Sequence, residues 1–405
     1  MKRFLVKPRL DKSVDELTFI SRDARSSNRL DQLTLVRDIR ARNPGQDDID
    51  RRLREENVKG KEDFRLISDL ALGASVTGTR IIEASEETAE QIEKDLGSTA
   101  HVIADQKLSL IEPTKRQGRR TDRLLDDQLW HLSAIGYKDA RQRGLARSGE
   151  GVTVAVMDTG VQHDVPELEG RVHDSVRIDS RTGEIWQDLP SVDTSGHGTH
   201  VAGLICGKKV GVAPGAKVVN CTLLPNGAGT LSGFVLAIEW AASRSDIDIV
   251  NLSAGIPGYL SEMEDVIYGL LGAGILPVVA VGNEGRHRTR SPGNYRDVLS
   301  VGAATKNYKV TSFSGSANII SNGQLYSVPH LVAPGDSVYS CVRDGDYEAW
   351  DGSSMAAPIV SGIAALVLER RKEMSVLELM EIILDKCRDL HTIKERQGMG
   401  MVQVI

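Results

Sequence analysis

The sequence predicts an α/β protein with a mostly parallel sheet covered by helices on both faces, preceded by a small α+β region. Three observations carry this. Near-continuous apolar runs rich in β-branched residues recur at 152–157, 217–222, 247–252, 275–281 and 298–301, as buried parallel strands require. Helical stretches lie between them at 198–206, 232–245 and 261–273, and strands alternating with helices build a parallel sheet. Before residue 112 the pattern differs. Strand-like runs at 64–72, 79–84 and 100–111 surround a helical run at 86–96, which reads as a small antiparallel sheet with helices on one face.

Composition sets outer bounds. A chain of 405 residues is long enough for a large core and more than one domain. Aromatics are only 4%, so the core rests on Val, Ile, Leu and Ala. The net charge of −6 argues against general nucleic-acid binding. The first ten residues are basic but hold no apolar stretch of signal-peptide length, and no segment reads as a membrane span, so the expected location is cytoplasmic and no membrane partner is expected. Cys206, Cys221, Cys341 and Cys387 lack metal-type spacing and are expected as buried free thiols.

Taken in order, residues 4–6 form a short strand. Residues 30–42 carry apolar positions at helical spacing, residues 43–48 break that helix, and 49–58 form a charged, exposed one. Ser85 caps the helix 86–96, whose acidic first turn suits the helix dipole, and Gly97 stops it. Residues 113–125 contain Pro, Gly and five basic side chains and read as a solvated linker. The expected units are therefore 1–112, a linker at 113–125, and 126–405.

Three residues stand where an α/β sheet places chemistry, at the carboxyl ends of strands or on adjoining helices. Asp158 follows the first parallel strand directly. His197 opens an apolar helix between Gly196 and Gly198. Ser354 lies where a turn becomes the long apolar helix that runs through residue 370. Each also has a plain structural reading: Asp158 as a turn residue, Ser354 as an N-cap, and His197 with His200 as an i, i+3 pair for a metal that no third ligand accompanies. Together they supply what acyl transfer needs. A serine hydroxyl is a weak nucleophile until a base takes its proton, and a carboxylate orients the imidazole that does so.

The blocks Val154-Ala-Val-Met-Asp-Thr-Gly160, Gly196-His-Gly-Thr-His-Val-Ala-Gly203 and Gly352-Ser-Ser-Met-Ala-Ala-Pro358 closely resemble the three signature blocks of the subtilisin-like serine proteases, the subtilases. The resemblance covers roughly residues 125–405. It implies a three-layer fold and a serine endopeptidase in which Asp158 orients His197, His197 is general base and acid, and Ser354 attacks the scissile carbonyl. It also implies an oxyanion-hole role for Asn283, in Val281-Gly-Asn-Glu-Gly285. Ser253, Ala254 and Gly255 correspond to one wall of the pocket for the residue before the cut. Leu224, Gly227 and Gly229 correspond to the strand that pairs with substrate.

Gly282 belongs to the same substrate-binding set. So does Arg290, which with Arg286 and Arg288 raises the option of acidic substrates against that of a solvated basic loop. No cofactor is required. Calcium is the metal the family suggests, but the loop 206–211 is too short and basic for the common site, so that site is expected to be absent and no residue is assigned to a metal. The region 1–112 resembles a propeptide, an intramolecular inhibitor and chaperone, with self-cleavage expected within 111–125. A catalytically silent peptide-binding scaffold is the alternative; it would have lost one of these residues, and none is lost. An esterase would carry a Gly-x-Ser-x-Gly elbow, absent around Ser354.

Overall fold

The structure, a computed structural model, describes residues 1–9, 29–60, 62–67, 75–144 and 147–404. β1 (Lys2–Pro8), β2 (Phe64–Leu66), β3 (Arg80–Ala84) and β4 (Ala100–Ala104) form an antiparallel sheet in the order β2-β3-β1-β4. Alternation along the strands divides its side chains between two cores. Phe4, Val6, Ile82 and Ala84 meet Ile49, Leu53, Ala89, Ile92 and Leu96 from the helices Pro44–Val58 and Glu86–Leu96. Leu5 and Ile81 join the main core of the protein instead, together with Leu33, Val36 and Ile39 of the helix Arg29–Ala41. The helices thus serve two cores, which corrects the expectation of one covered face.

The first helix ends at Ala41, so the break expected here is present, but it is short: Asn43 is a cap and 44–48 already form the first turn of the next helix. Asn43 Oδ1 accepts the Gly45 N–H at 2.9 Å, and the helix that follows buries Ile49 and Leu53, so it is not simply exposed. Ser85 caps its helix by accepting the Thr88 N–H, and Gly97 ends it at φ 53°, where a side chain would be strained. The strand expected over 64–72 is seen only as β2; residues 68–72 lie outside the described residues.

The run 100–111 is not one strand. After β4 the chain turns, and β5 (Lys107–Leu110) belongs to a different sheet. β6 (Thr114–Thr121) follows, so the expected linker is in fact a paired strand.

The larger body contributes β7 (Thr153–Asp158), β8 (Val172–Asp179), β9 (Glu184–Trp186), β10 (Lys217–Thr222), β11 (Ala228–Thr230), β12 (Ile249–Leu252), β13 (Ala254–Pro257), β14 (Leu276–Ala280), β15 (Arg290–Ser291) and β16 (Leu299–Ala304). It continues with the hairpin β17 (Ala317–Ser321) and β18 (Gln324–Val328), then β19 (Leu331–Pro334), β20 (Val338–Cys341) and β21 (Tyr347–Asp351).

The central sheet runs β19-β16-β14-β12-β7-β10-β8-β9 and is parallel except for the β8–β9 hairpin. Its strands are buried almost without alternation, as a sheet covered on both faces must be. The helices His197–Cys206, Leu231–Ala242 and Ser353–Arg370 supply cover. The stretch expected as a helix over 261–273 is a 3₁₀ turn, Ser261–Ile267, running into the short helix Tyr268–Gly272.

By length and composition Ser353–Arg370 is apolar enough to cross a membrane, contrary to the sequence reading; packing makes it a core helix. Cys206, Cys221 and Cys341 are buried and Cys387 is half-buried, all unpaired. Burial pushes the Cys206 thiol up to about 12.

Candidate active site

The site assembles at the carboxyl end of β7. Asp158 is its last residue and is fully buried. His197 Nδ1 donates to both carboxylate oxygens, at 2.8 and 2.9 Å. Two glycines let the helix come this close. A Cβ on Gly198 would stand 2.0 Å from the Gly160 carbonyl oxygen, and one on Gly160, at φ +118°, would stand 2.1 Å from that of Val192.

Asp193 fastens the start of the same helix. Its carboxylate accepts the N–H groups of Ser195, Gly196 and Thr199 and the hydroxyls of Thr159 and Thr199. Sequence reasoning missed Asp193; the signal was an acidic residue four positions before the helix. His200 is not half of a metal pair. Its Nε2 donates to the Glu348 carbonyl at 3.0 Å, and its ring stacks on Trp350 at 4.1 Å.

Ser354 is the second residue of its helix and is fully buried. Asn283 faces it across the turn after β14. Asn283 Oδ1 accepts the Ser353 N–H at 2.8 Å and the Ser353 hydroxyl at 2.9 Å. This fixes the amide so that Nδ2 points outward, where it donates to the Glu112 carbonyl at 3.1 Å. Ser353 is therefore a second residue that sequence reasoning missed, although it stands beside Ser354.

The cleft between these groups is filled by the chain's own segment. β5 lies as an added antiparallel strand between β11 and β13, with Leu108 opposite Gly229, Ser109 opposite Ala228 and Gly255, and Leu110 opposite Ala254. The Ile111 N–H donates to the Ser253 carbonyl at 3.0 Å. The Ser354 hydroxyl donates to the Ile111 carbonyl at 2.7 Å, and His197 Nε2, buried, has no hydrogen-bond partner among the described residues. Ile111 is fully buried whereas Glu112 is exposed.

The other expected contact residues sort around this strand. A Cβ on Gly227 would lie in ordinary contact with Glu112 Oε1, at 3.4 Å; it is the φ of +81° that favours glycine here. Gly229 pairs with the cleft strand through the backbone, and Leu224 is buried against Gly229. Only 228–230 of the stretch 224–232 is strand, because a 3₁₀ turn precedes it and a helix begins at Leu231. A Cβ on Gly282 would meet Glu284 Oε2 at 2.7 Å.

Arg290 pairs with Glu284 at 2.6 Å and also donates to Ser109 Oγ at 2.9 Å and to the Gly255 carbonyl at 3.2 Å. Arg286 instead pairs with Glu395, and Arg288 is exposed. Of the three arginines only Arg290 is seen to contact the cleft strand, and its charge is already answered by Glu284.

The short loop after the His197 helix is held by Glu167, whose carboxylate accepts the N–H groups of Lys209 and Val210 at 2.5 and 2.8 Å. Among the described residues no group of three or more His, Cys, Asp or Glu side chains is arranged to hold a metal ion.

A family model described as "Subtilase family" matches residues 149–400, which include Asp158, His197, Asn283 and Ser354. The chain belongs to the subtilase family. This subtilase is 32% identical over 256 residues to Subtilisin Savinase of Lederbergia lenta, covering 62% of this chain and 87% of that one. It is 32% identical over 273 residues to an intracellular serine protease of Paenibacillus polymyxa, covering 63% and 79%. Against M-protease of Shouchella clausii the match covers 62% of that relative's length.

Among solved structures, fervidolysin from Fervidobacterium pennivorans, a keratinolytic enzyme related to subtilisin, shares the fold over 100% of this chain and 60% of its own, with TM-score 0.67 at 21% identity. A cold adapted subtilisin-like serine proteinase matches 64% of this subtilase and 90% of its own chain, with TM-score 0.53 at 29% identity.

Proposed function

We propose that this subtilase is a serine endopeptidase made as a self-processing zymogen. Ser354 Oγ is the nucleophile. His197 takes its proton, Asp158 holds the imidazole in the tautomer that leaves Nε2 free to accept, and the charge that develops on the scissile carbonyl oxygen is met by the Ser354 N–H and by Asn283 Nδ2, which moves there from the Glu112 carbonyl it holds in the uncut chain. The Ser354 oxygen bonds to the carbonyl carbon, the C–N bond breaks, and the proton passes from His197 to the departing nitrogen. Water then hydrolyses the acyl-enzyme by the same route.

The observation that carries this reading is the cleft strand. A peptide lies in the cleft with one carbonyl on Ser354 and the next on Asn283. An extended peptide added between two strands is how a sheet edge presents backbone to a reactive group. The bond we assign for self-cleavage is Ile111–Glu112. Ile111 is the residue whose N–H is held by Ser253, whose side chain is buried and whose carbonyl lies on the hydroxyl. Residues 1–111 are then the intramolecular inhibitor, and substrates are proteins or peptides with an apolar residue before the cut.

The unpaired cysteines and the similarity to an intracellular serine protease support a cytoplasmic setting. The Glu167 contacts support a loop that needs no calcium.

Intact-mass analysis and labelling with a fluorophosphonate test the proposal. Active protein should yield a fragment beginning at Glu112 and should label at Ser354. Ser354→Ala should stay full length and unlabelled. Wild-type protein that remains uncut and unlabelled, and hydrolyses no peptide, would overturn it.

A further inference from the structure

One side chain on the cleft strand is read by groups that the proposed mechanism does not use. Ser109 of β5 stands two residues before Ile111 and lies opposite Gly255 of β13. Its Oγ accepts an N–H of Arg290 Nη1 at 2.9 Å and donates to the Gly255 carbonyl at 3.4 Å. Arg290 Nη1 also donates to that carbonyl, at 3.2 Å. The third residue before the cut therefore faces one charged donor and one neutral acceptor.

The donor is held from behind. Glu284 Oε1 lies 2.6 Å from both Nε and Nη2 of Arg290. Glu284 Oε2 accepts the Asn283 N–H at 2.9 Å. One carboxylate thus joins Arg290 to the residue whose amide faces the scissile bond. Gly255 clears the path: a Cβ there would stand 2.8 Å from Arg290 Cβ and 2.8 Å from the Ser291 carbonyl oxygen. Only 16% of the Arg290 side chain is exposed, so these partners rather than solvent set its direction.

Resting on the proposed function, we propose that Arg290 is a specificity-determining residue that selects a hydroxyl side chain, serine or threonine, at the third position before the scissile bond. Glu284 is the positioning residue that makes this a choice of hydroxyl rather than of charge. From a single atom, a hydroxyl both accepts from the guanidinium and donates to the Gly255 carbonyl. Alanine does neither, and leaves Nη1 with only its longer contact to Gly255. An ionised carboxylate can only accept. It sets its oxygen against the Gly255 carbonyl and meets a guanidinium whose charge Glu284 already balances. The substrates so marked carry a hydroxyl residue two positions before an apolar one, as the chain itself does at Ser109-Leu110-Ile111.

The test uses the full chain, allowed to process, and peptides with the sequence of residues 107–116 carrying Ser, Thr, Ala or Asp at position 109. The peptides compete in one reaction, and mass spectrometry reads the products cut after Ile111. The ratios of kcat/KM then do not depend on how much enzyme is free of its own fragment. Wild type should cut the Ser and Thr peptides about tenfold faster than the Ala peptide, the size expected of a hydrogen bond from a charged donor. The Asp peptide should be cut no faster than the Ala peptide. Arg290→Met should cut the Ser and Ala peptides at equal rates. Glu284→Gln leaves the guanidinium charge unbalanced and should raise the Asp peptide about fivefold relative to the Ser peptide, a change of preference that a merely structural loss does not produce.

If Arg290→Met fails to fold, the wild-type ratios and Glu284→Gln decide. Wild type that cuts the Ala peptide as fast as the Ser peptide, or Arg290→Met that keeps the preference, overturns the proposal while leaving the endopeptidase intact. A chain that cuts itself but none of the peptides overturns this inference alone. A chain that cuts neither itself nor any peptide overturns the proposed function and this inference with it.

Discussion

At the residue scale, the site is built by short-range chemistry that aims a few atoms. Asn283 illustrates this: one end of its amide is consumed by Ser353 so that the other end is presented to a carbonyl. Ser353→Ala removes one of the two donors to Oδ1. The expected result is a fall in kcat of about fivefold with KM nearly unchanged, since a hydrogen bond of this kind is worth about 1 kcal/mol; steady-state kinetics on one peptide checks it.

His131 makes a different prediction. It is fully buried, its Nε2 donates to the Val210 carbonyl at 2.9 Å, and burial pushes it down to about 4. A histidine lowered in the folded state contributes stability above its unfolded value near 6.5, and that stability is lost as pH falls from there to about 4. The expected loss is about 3 kcal/mol. Urea unfolding at pH 7 and pH 4.5 should show it, and His131→Phe should flatten that part of the profile.

At the element scale, the helix that carries His197 is positioned by absent side chains as much as by present ones. Gly198→Ala would drive a methyl into the Gly160 carbonyl. The helix must shift from Asp158, and about 1–3 kcal/mol of stability should be lost along with most activity; thermal melting and peptide hydrolysis together would reveal it.

The elements also mark where local reasoning stops. The central strands and the helices 86–96 and 197–206 were legible because their periodicity and caps are local. The split of 100–111 into β4 and β5 was not. Both halves are apolar and extended, and only pairing with β11 and β13 assigns the second half to the cleft. The basic run after it read as a connector because its composition is that of one, yet β21 supplies a partner and it becomes a strand.

At the scale of the whole molecule, the N-terminal region and the body share one apolar core. Leu5, Val36, Val76 and Ile81 lie in the same cluster as the central sheet. The uncut chain should therefore unfold as a single cooperative unit. Calorimetry of Ser354→Ala, in which the proposed self-cleavage is blocked, is expected to give one transition whose calorimetric and van't Hoff enthalpies agree; two separated transitions would contradict a shared core.

What the sequence determined by itself was which residues stand at the candidate site. Asp158, His197, Asn283 and Ser354 each sit in a block whose glycines and flanking strand or helix are local properties of the chain, so their types and order could be read without coordinates. What only the tertiary structure decided was occupancy and restraint. The presence of Ile111 on the Ser354 hydroxyl, the contact of Arg290 with Ser109, and the grip of Glu239 and Asp265 on residues far away in the chain all join segments more than a hundred residues apart. Such contacts leave no periodic trace in either partner; they exist because folding brings a charge, a donor or an empty glycine face to where its complement already stands.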